Sequence, residues 1–82
     1  MSDIADRVKQ VVAKQLKVDI DRVIDTAEFV KDLGAESLQS IELVASFEDE
    51  FDIEMDEDAA LSVKNVGDAV TFIEKAIEEQ HG

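Results

Sequence analysis

The spacing of hydrophobic residues in the first part of the chain predicts a helix. Apolar side chains recur at intervals of three and four residues, which places them on one helix face: Ile4, Val8, Val11, Val12 and Leu16. Ser2 or Asp3 can cap the N-terminus of this helix. Lys14 and Lys17 lie near its C-terminus, where the helix dipole favours cations.

The segment from 18 to 34 shows neither helical nor strand periodicity. It contains β-branched residues but no clean alternation and no second strand with which to pair. We therefore predict a long ordered loop that ends at Gly34. Such a loop needs apolar anchors in the core, and the candidates are Val23, Ile24, Phe29, Val30 and Leu33.

Helical spacing returns after Gly34 and continues to the end of the chain. The second helix carries apolar residues over a broad face: Leu38, Ile41, Val44, Ala45, Phe47 and Phe51. Residues 59–61 indicate a short third helix, and Asn65 is a suitable N-cap for the last one, whose stripe is Val66, Ala69, Val70, Ile73 and Ile77. The pattern predicts an all-α fold, a small four-helix bundle with three long helices, one short helix and a long loop between helices one and two.

The length of the chain limits it to one domain. Its 82 residues can bury one modest core, so we expect a single domain over residues 1–82. There is no cysteine, and no segment approaches membrane-spanning length. We expect a cytoplasmic monomer that does not insert into membranes.

The charge of the chain is strongly negative and unevenly distributed. The formal net charge is −13, which disfavours nucleic acids and anionic lipids as partners and favours basic proteins. From Asp32 to Val63 there is no Lys or Arg, although many Asp and Glu residues lie there. This acidic block is either a surface that recognises partners or a solvated surface that serves solubility.

The residue types needed for catalysis are mostly missing. Without cysteine, and with only His81 in a tail that we expect to fray, the chain cannot form a catalytic triad. It also has no glycine-rich phosphate loop. We therefore predict a protein that is not an enzyme.

The alternating acids that begin at Asp52 resemble a calcium-binding loop only superficially. If Asp52 is position one, Glu57 stands where the turn glycine is required and Val63 where the bidentate carboxylate is required. We predict no dedicated metal site, although weak binding of divalent cations to the clustered carboxylates stays open.

Ser37 lies at the junction between the loop and the first turn of the second helix. A phosphate attached to its hydroxyl would be favoured by the free N–H groups and the positive dipole end of that helix. The alternative is that Ser37 is an ordinary N-cap. The local pattern leaves both interpretations open.

Five blocks of the sequence together resemble the acyl carrier protein family along almost the whole chain: DRVKQVVAKQL, AEFVKDLGA, ESLQSIELV, FEDEFDIEM and VKNVGDAVTFIEKA. The resemblance implies that Ser37 carries 4′-phosphopantetheine, installed from coenzyme A by a phosphopantetheinyl transferase. It implies a carrier that holds acyl groups as thioesters for fatty-acid or related biosynthetic enzymes, which act on them.

The resemblance also implies two sets of binding residues. Acyl synthases and acyltransferases with basic docking surfaces would contact the second helix at Glu36, Leu38, Glu42, Glu48 and Asp49. The acyl chain would be sheltered by Phe29, Val44, Phe47, Met55, Ala60, Val63 and Ala69. The alternatives are a solvated helix face for the first set and plain core packing for the second.

Three positions depart from the family pattern. Glu36 replaces the usual aspartate before the serine, Gln39 stands where a second acid is common, and Asp56 follows Met55 where proline is frequent. Two hypotheses follow. A housekeeping phosphopantetheinyl transferase modifies this chain more slowly than usual, and the protein serves a specialised pathway instead of bulk fatty-acid synthesis. The competing functions are an unmodified acidic interaction domain and a calcium-responsive helical module.

Overall fold

The computed structural model describes residues 3–82 and consists of helices joined by loops. Its four α-helices are α1 (Ile4–Leu16), α2 (Ser37–Phe51), α3 (Glu57–Leu61) and α4 (Val66–His81). The connection from α1 to α2 is long and contains one 3-10 turn, Ile20–Arg22. Residues 3–82 include no β-strand. The predicted all-α four-helix bundle with a long first loop is therefore confirmed.

Short polar side chains determine where the helices begin. The Asp3 carboxylate accepts a hydrogen bond from the Asp6 N–H at 2.9 Å and caps α1. The Asn65 side chain accepts one from the Asp68 N–H at 2.8 Å and caps α4, as predicted. The other candidate cap of α1, Ser2, lies outside the described residues.

The three long helices enclose one hydrophobic core. Helix α1 packs against α2 and α4, and α3 packs against α2. The most deeply buried side chains are Val8, Val12, Val23, Val66 and Ile73. Since these residues come from α1, the long loop and α4, the loop is part of the core and not a surface appendage.

Only three of the five predicted loop anchors reach the core. Val23, Phe29 and Leu33 are buried, whereas Ile24 is 54% exposed and Val30 is 68% exposed. The prediction for Ile24 and Val30 was wrong because each directly follows a buried residue and its side chain leaves the backbone on the other side.

Backbone hydrogen bonds hold the loop against the segment before α4. The Phe29 N–H donates to the Lys64 carbonyl at 2.9 Å, and the Val66 N–H donates to the Ala27 carbonyl at 3.0 Å. These bonds satisfy backbone groups that would otherwise be buried without partners. They fix the path of the loop, and with it the inward direction of Ala27 and Phe29.

The buried face of α2 differs from the predicted one. It consists of Leu43, Val44, Phe47 and Phe51. Leu38 and Ile41 are 67% and 44% exposed, and Ala45 is also exposed. The prediction counted more apolar residues than one face can hold, and it omitted Leu43, which precedes Phe47 by one turn.

The C-terminal end of α4 is tied to the connection after α2. The Gln80 side chain accepts a hydrogen bond from the Glu54 N–H at 2.8 Å and donates to the Glu54 carbonyl at 2.7 Å. His81 is the last helical residue, and its ring nitrogen contacts the Asp52 carbonyl. The expectation of a frayed tail at His81 was therefore wrong.

Candidate functional site

Ser37 is the first residue of α2, and Glu36 is its N-cap. Glu36 has extended backbone angles, φ −89° and ψ 167°, whereas the helix starts at Ser37. The interpretation of Ser37 as an ordinary N-cap is therefore wrong. Its side chain is exposed, and within residues 3–82 its hydroxyl takes part in no hydrogen bond.

The chain before Ser37 is fixed by a tight turn. Gly34 has a φ of 71°, a left-handed conformation that glycine adopts without steric cost. The Ala35 N–H donates to the Phe29 carbonyl at 2.8 Å, and the Ala35 side chain is buried. The loop thus delivers Ser37 to the surface from an anchored position two residues earlier.

The first turn of α2 has free donors beside Ser37. The Gln39 Oε1 atom accepts a hydrogen bond from the Glu36 N–H at 2.9 Å, and the Ser40 N–H donates to the Glu36 carbonyl at 2.9 Å. In the part of the chain that the structure describes, the N–H groups of Ser37 and Leu38 find no partner. Unpaired N–H groups and the positive end of the helix dipole favour an anion at the Ser37 hydroxyl.

A cavity of about 390 Å³ lies between α2, the long loop, α3 and α4. All seven residues that were predicted to shelter an acyl chain line it: Phe29, Val44, Phe47, Met55, Ala60, Val63 and Ala69. Its other lining residues were not predicted: Glu28, Val30, Lys31, Ser40, Leu43, Leu61, Lys64 and Phe72. Ser40 could have been found from Val44 and Leu43 from Phe47, because each precedes that residue by four positions and so lies on the same side of the helix.

The cavity begins close to Ser37. Ser40, which lines it, is three residues further along α2, a rise of about 4.5 Å. A group attached to Ser37 would therefore start about one helical turn from the cavity lining.

The predicted partner residues on α2 fall into two environments. Glu36, Leu38, Glu42 and Asp49 are exposed. Glu48 is half-buried instead, and its Oε2 atom accepts a hydrogen bond from the Met55 N–H at 2.8 Å. Its carboxylate therefore already has a structural partner.

The acidic side chains do not converge on a metal-binding geometry. Among residues 3–82, no three His, Asp or Glu side chains come close enough together to hold a metal ion.

None of the helices within residues 3–82 is both long and apolar enough to cross a membrane.

Comparison with known proteins gives two kinds of match. A family model described as "Phosphopantetheine attachment site" matches residues 6–73, a range that includes Ser37 and the cavity lining. The chain is 57% identical over 76 residues to an acyl carrier protein of Sinorhizobium fredii (strain NBRC 101917 / NGR234), which covers 93% of this chain and 97% of that protein. The acyl carrier protein AcpP of Rhizobium meliloti (strain 1021) is also 57% identical over 76 residues, with the same coverage.

Proposed function

The chain belongs to the acyl carrier protein family, and we propose that it holds acyl groups as thioesters on a 4′-phosphopantetheine arm attached to Ser37. In this proposal the chain is a carrier and not an enzyme. It presents the acyl group to fatty-acid or related biosynthetic enzymes, which carry out the chemistry.

The position of Ser37 is the observation that supports this proposal most strongly. Its hydroxyl is exposed and free of hydrogen bonds within residues 3–82, and it lies in the first turn of a 15-residue helix. The unpaired N–H groups of Ser37 and Leu38 suit a phosphodiester, whose negative charge they would stabilise. The residues present thus fit a phosphate-linked prosthetic group.

The side chains around the cavity fit the second part of the proposal. When bound, the prosthetic group supplies the terminal thiol that this cysteine-free chain lacks. The cavity residues shelter an acyl chain from water through contacts with apolar side chains such as Phe47, Met55 and Ala69. Because the cavity is about 390 Å³, it can enclose a chain without first displacing core residues.

Exposed residues of α2 and its N-cap Glu36 form the proposed docking face for partner enzymes. The face combines the carboxylates of Glu36, Glu42 and Asp49 with the exposed side chain of Leu38. A phosphopantetheinyl transferase, acyl synthases and acyltransferases with basic docking surfaces would complement it. Charge complementarity accelerates encounter more than it strengthens binding, which suits a carrier that must also dissociate.

The modification itself provides the test. The purified chain is incubated with coenzyme A and a broad-specificity phosphopantetheinyl transferase, and its intact mass is measured. We expect the mass to rise by one phosphopantetheine in the wild type and in Ser40→Ala, a matched control one turn from the site. Ser37→Ala is expected to stay unmodified.

Two results would overturn the proposal. If the wild-type mass never rises, the chain is an unmodified interaction domain. If the mass rises equally in Ser37→Ala, the arm is attached elsewhere. A calcium titration followed by circular dichroism tests the remaining alternative, a calcium-responsive module, for which we expect no change in helix content.

A further inference from the structure

The residues that line the cavity carry a charge opposite in sign to that of the chain. Three of them are charged, namely Glu28, Lys31 and Lys64. Two cations and one acid give the lining a net charge of +1, whereas the whole chain carries −13. A small region of positive charge therefore borders the cavity of a strongly acidic protein.

Neither of these two lysines is neutralised within the described part of the chain. Both are exposed, and among residues 3–82 neither forms an ion pair. Two cations of α1 differ in this respect, because Arg7 pairs with Glu50 at 3.0 Å and Lys9 pairs with Asp25 at 3.1 Å. A lysine keeps its ammonium group in water even where its stem lies along an apolar wall, so both charges can act on a partner.

Backbone hydrogen bonds place the lysines near Ser37. The Phe29 N–H donates to the Lys64 carbonyl at 2.9 Å, and the Ala35 N–H donates to the Phe29 carbonyl at 2.8 Å. Since hydrogen-bonded neighbouring segments are about 5 Å apart, Lys64 lies about 10 Å from the turn that carries Ser37. Lys31 belongs to the same loop and follows Phe29 by two residues.

A partner that approaches Ser37 therefore meets charges of both signs. The docking face presents carboxylates on α2 and its N-cap, whereas the two lysines lie on the loop and on the segment before α4, which form other walls of the cavity. The screening length at physiological ionic strength is about 8 Å, so a basic surface that covers the docking face also experiences the nearby lysines. Like charges at the edge of an interface slow encounter and disfavour the wrong partner.

We propose that Lys31 and Lys64 form a cationic patch that selects among partner enzymes. The patch fits an enzyme whose basic docking surface carries an acidic side chain at the edge that meets the loop. It slows docking by an enzyme whose surface is basic throughout. This inference rests on the proposed function, because the docking face and the site of modification belong to it.

Two peptides test the patch on the unmodified chain, without any prosthetic group. One is octa-arginine, and the other has six arginines followed by two aspartates. The variants are Lys31→Glu, Lys64→Glu and the control Lys75→Glu, which makes the same change in net charge at an exposed position of α4 outside the cavity lining. Fluorescence anisotropy of the labelled peptides at low ionic strength gives each Kd.

The two peptides should respond in opposite directions. We expect Lys31→Glu and Lys64→Glu to bind octa-arginine about threefold more tightly than Lys75→Glu does, an effect typical of one exposed charge. The same two variants should bind the aspartate-containing peptide more weakly than Lys75→Glu does, because its acidic end loses its partner. Lys31→Gln and Lys64→Gln, which remove the charge without reversing it, should give intermediate values.

The rate of modification tests the patch with an enzyme. Initial rates with coenzyme A and a housekeeping phosphopantetheinyl transferase are compared for the three glutamate variants at about 0.01 M and about 1 M salt. At low salt we expect Lys31→Glu and Lys64→Glu to be modified about threefold faster than Lys75→Glu. At high salt, where the screening length is about 3 Å, the three rates should become equal.

The results decide the proposal in both directions. Equal affinities of the three glutamate variants for either peptide overturn it, because the position of the charge would then not matter. Slower modification of Lys31→Glu and Lys64→Glu than of Lys75→Glu also overturns it, because the lysines would then assist a basic enzyme. If the wild type accepts no phosphopantetheine, the carrier function fails, and the contrast between the two peptides alone decides whether the cationic patch selects partners.

Discussion

The Gln39 side chain reaches back one turn to the backbone of Glu36, where its Oε1 atom accepts the Glu36 N–H at 2.9 Å. A Gln three residues after the N-cap makes this bond in a capping box, and it satisfies an N–H group at the helix start. In the sequence, Gln39 was notable because it stands where a second acid is common in the family. The structure gives the same residue a role in ordering the turn that carries Ser37.

Replacement of Gln39 by leucine should destabilise the protein by about 1 kcal/mol, because the Glu36 N–H loses its acceptor. Gln39→Glu should retain the stability, since it keeps the oxygen and adds a negative charge near the helix N-terminus. Urea unfolding measures both. Gln10→Leu, at an exposed site on α1, is the matched control and should change stability by no more than about 0.5 kcal/mol.

Glu36→Asp should increase the rate at which a housekeeping phosphopantetheinyl transferase modifies the chain. The substitution restores the aspartate that is usual in the family directly before Ser37, and it shortens the carboxylate that the transferase meets. Initial rates with coenzyme A measure the effect. The control Glu42→Asp makes the same change at an exposed acid within α2 and should leave the rate close to that of the wild type. Equal rates for all three proteins would contradict the hypothesis that Glu36 slows modification.

Enlarging a cavity residue should cost little stability. Ala69 lines the cavity and Ala76 is buried in the core outside its lining, so Ala69→Leu and Ala76→Leu add the same atoms to open and to filled space. We expect Ala76→Leu to lose about 1–3 kcal/mol by overpacking and Ala69→Leu to lose clearly less. Urea unfolding of the two variants makes the comparison, and an equal loss would show that the cavity is not open space.

The Ala69→Leu variant also tests whether an acyl chain occupies the cavity. If an acyl chain enters it, octanoyl loading should raise the melting temperature of the wild type more than that of Ala69→Leu. The same increase in both proteins would place the acyl chain elsewhere.

Added salt should raise the melting temperature of the unmodified chain. The formal net charge is −13, and the acids from Asp32 to Val63 repel one another without a Lys or Arg among them. Raising the ionic strength from about 0.01 M to about 1 M shortens the screening length from about 30 Å to about 3 Å. Thermal unfolding followed by circular dichroism measures this, and a melting temperature that does not change would mean that the acids are already compensated.

Local sequence signals predicted the helices well, because the capping and spacing that define a helix involve residues only three or four positions apart. Asn65 caps α4 as expected, since its side chain needs only the Asp68 N–H three residues later. The buried sides of irregular segments were harder to predict. Ile24 and Val30 are as apolar as Val23 and Phe29, so hydrophobicity does not tell which of them face inward. The path of the loop decides it, and near Phe29 that path is fixed by hydrogen bonds to residues 64–66.

In the candidate site, too, contacts between segments that are distant in the sequence were the ones that could not be predicted. The family resemblance indicated Ser37 and seven residues that line one cavity in the structure. It gave no sign that Glu48 binds the Met55 N–H, because that contact depends on how the chain turns after α2. The position of His81 near the end of the sequence led us to expect a frayed tail, although His81 contacts the Asp52 carbonyl from the end of α4.

The attachment of phosphopantetheine to Ser37 is the central claim, and site localisation by tandem mass spectrometry tests it most directly. Trypsin cleaves after Lys31 and Lys64, so one peptide carries Ser37 together with Ser40, Ser46 and Ser62. After incubation with coenzyme A and the transferase, we predict that fragment ions place the added phosphopantetheine on Ser37 alone. A peptide that stays unmodified, or an added mass on one of the other three serines, would contradict the account.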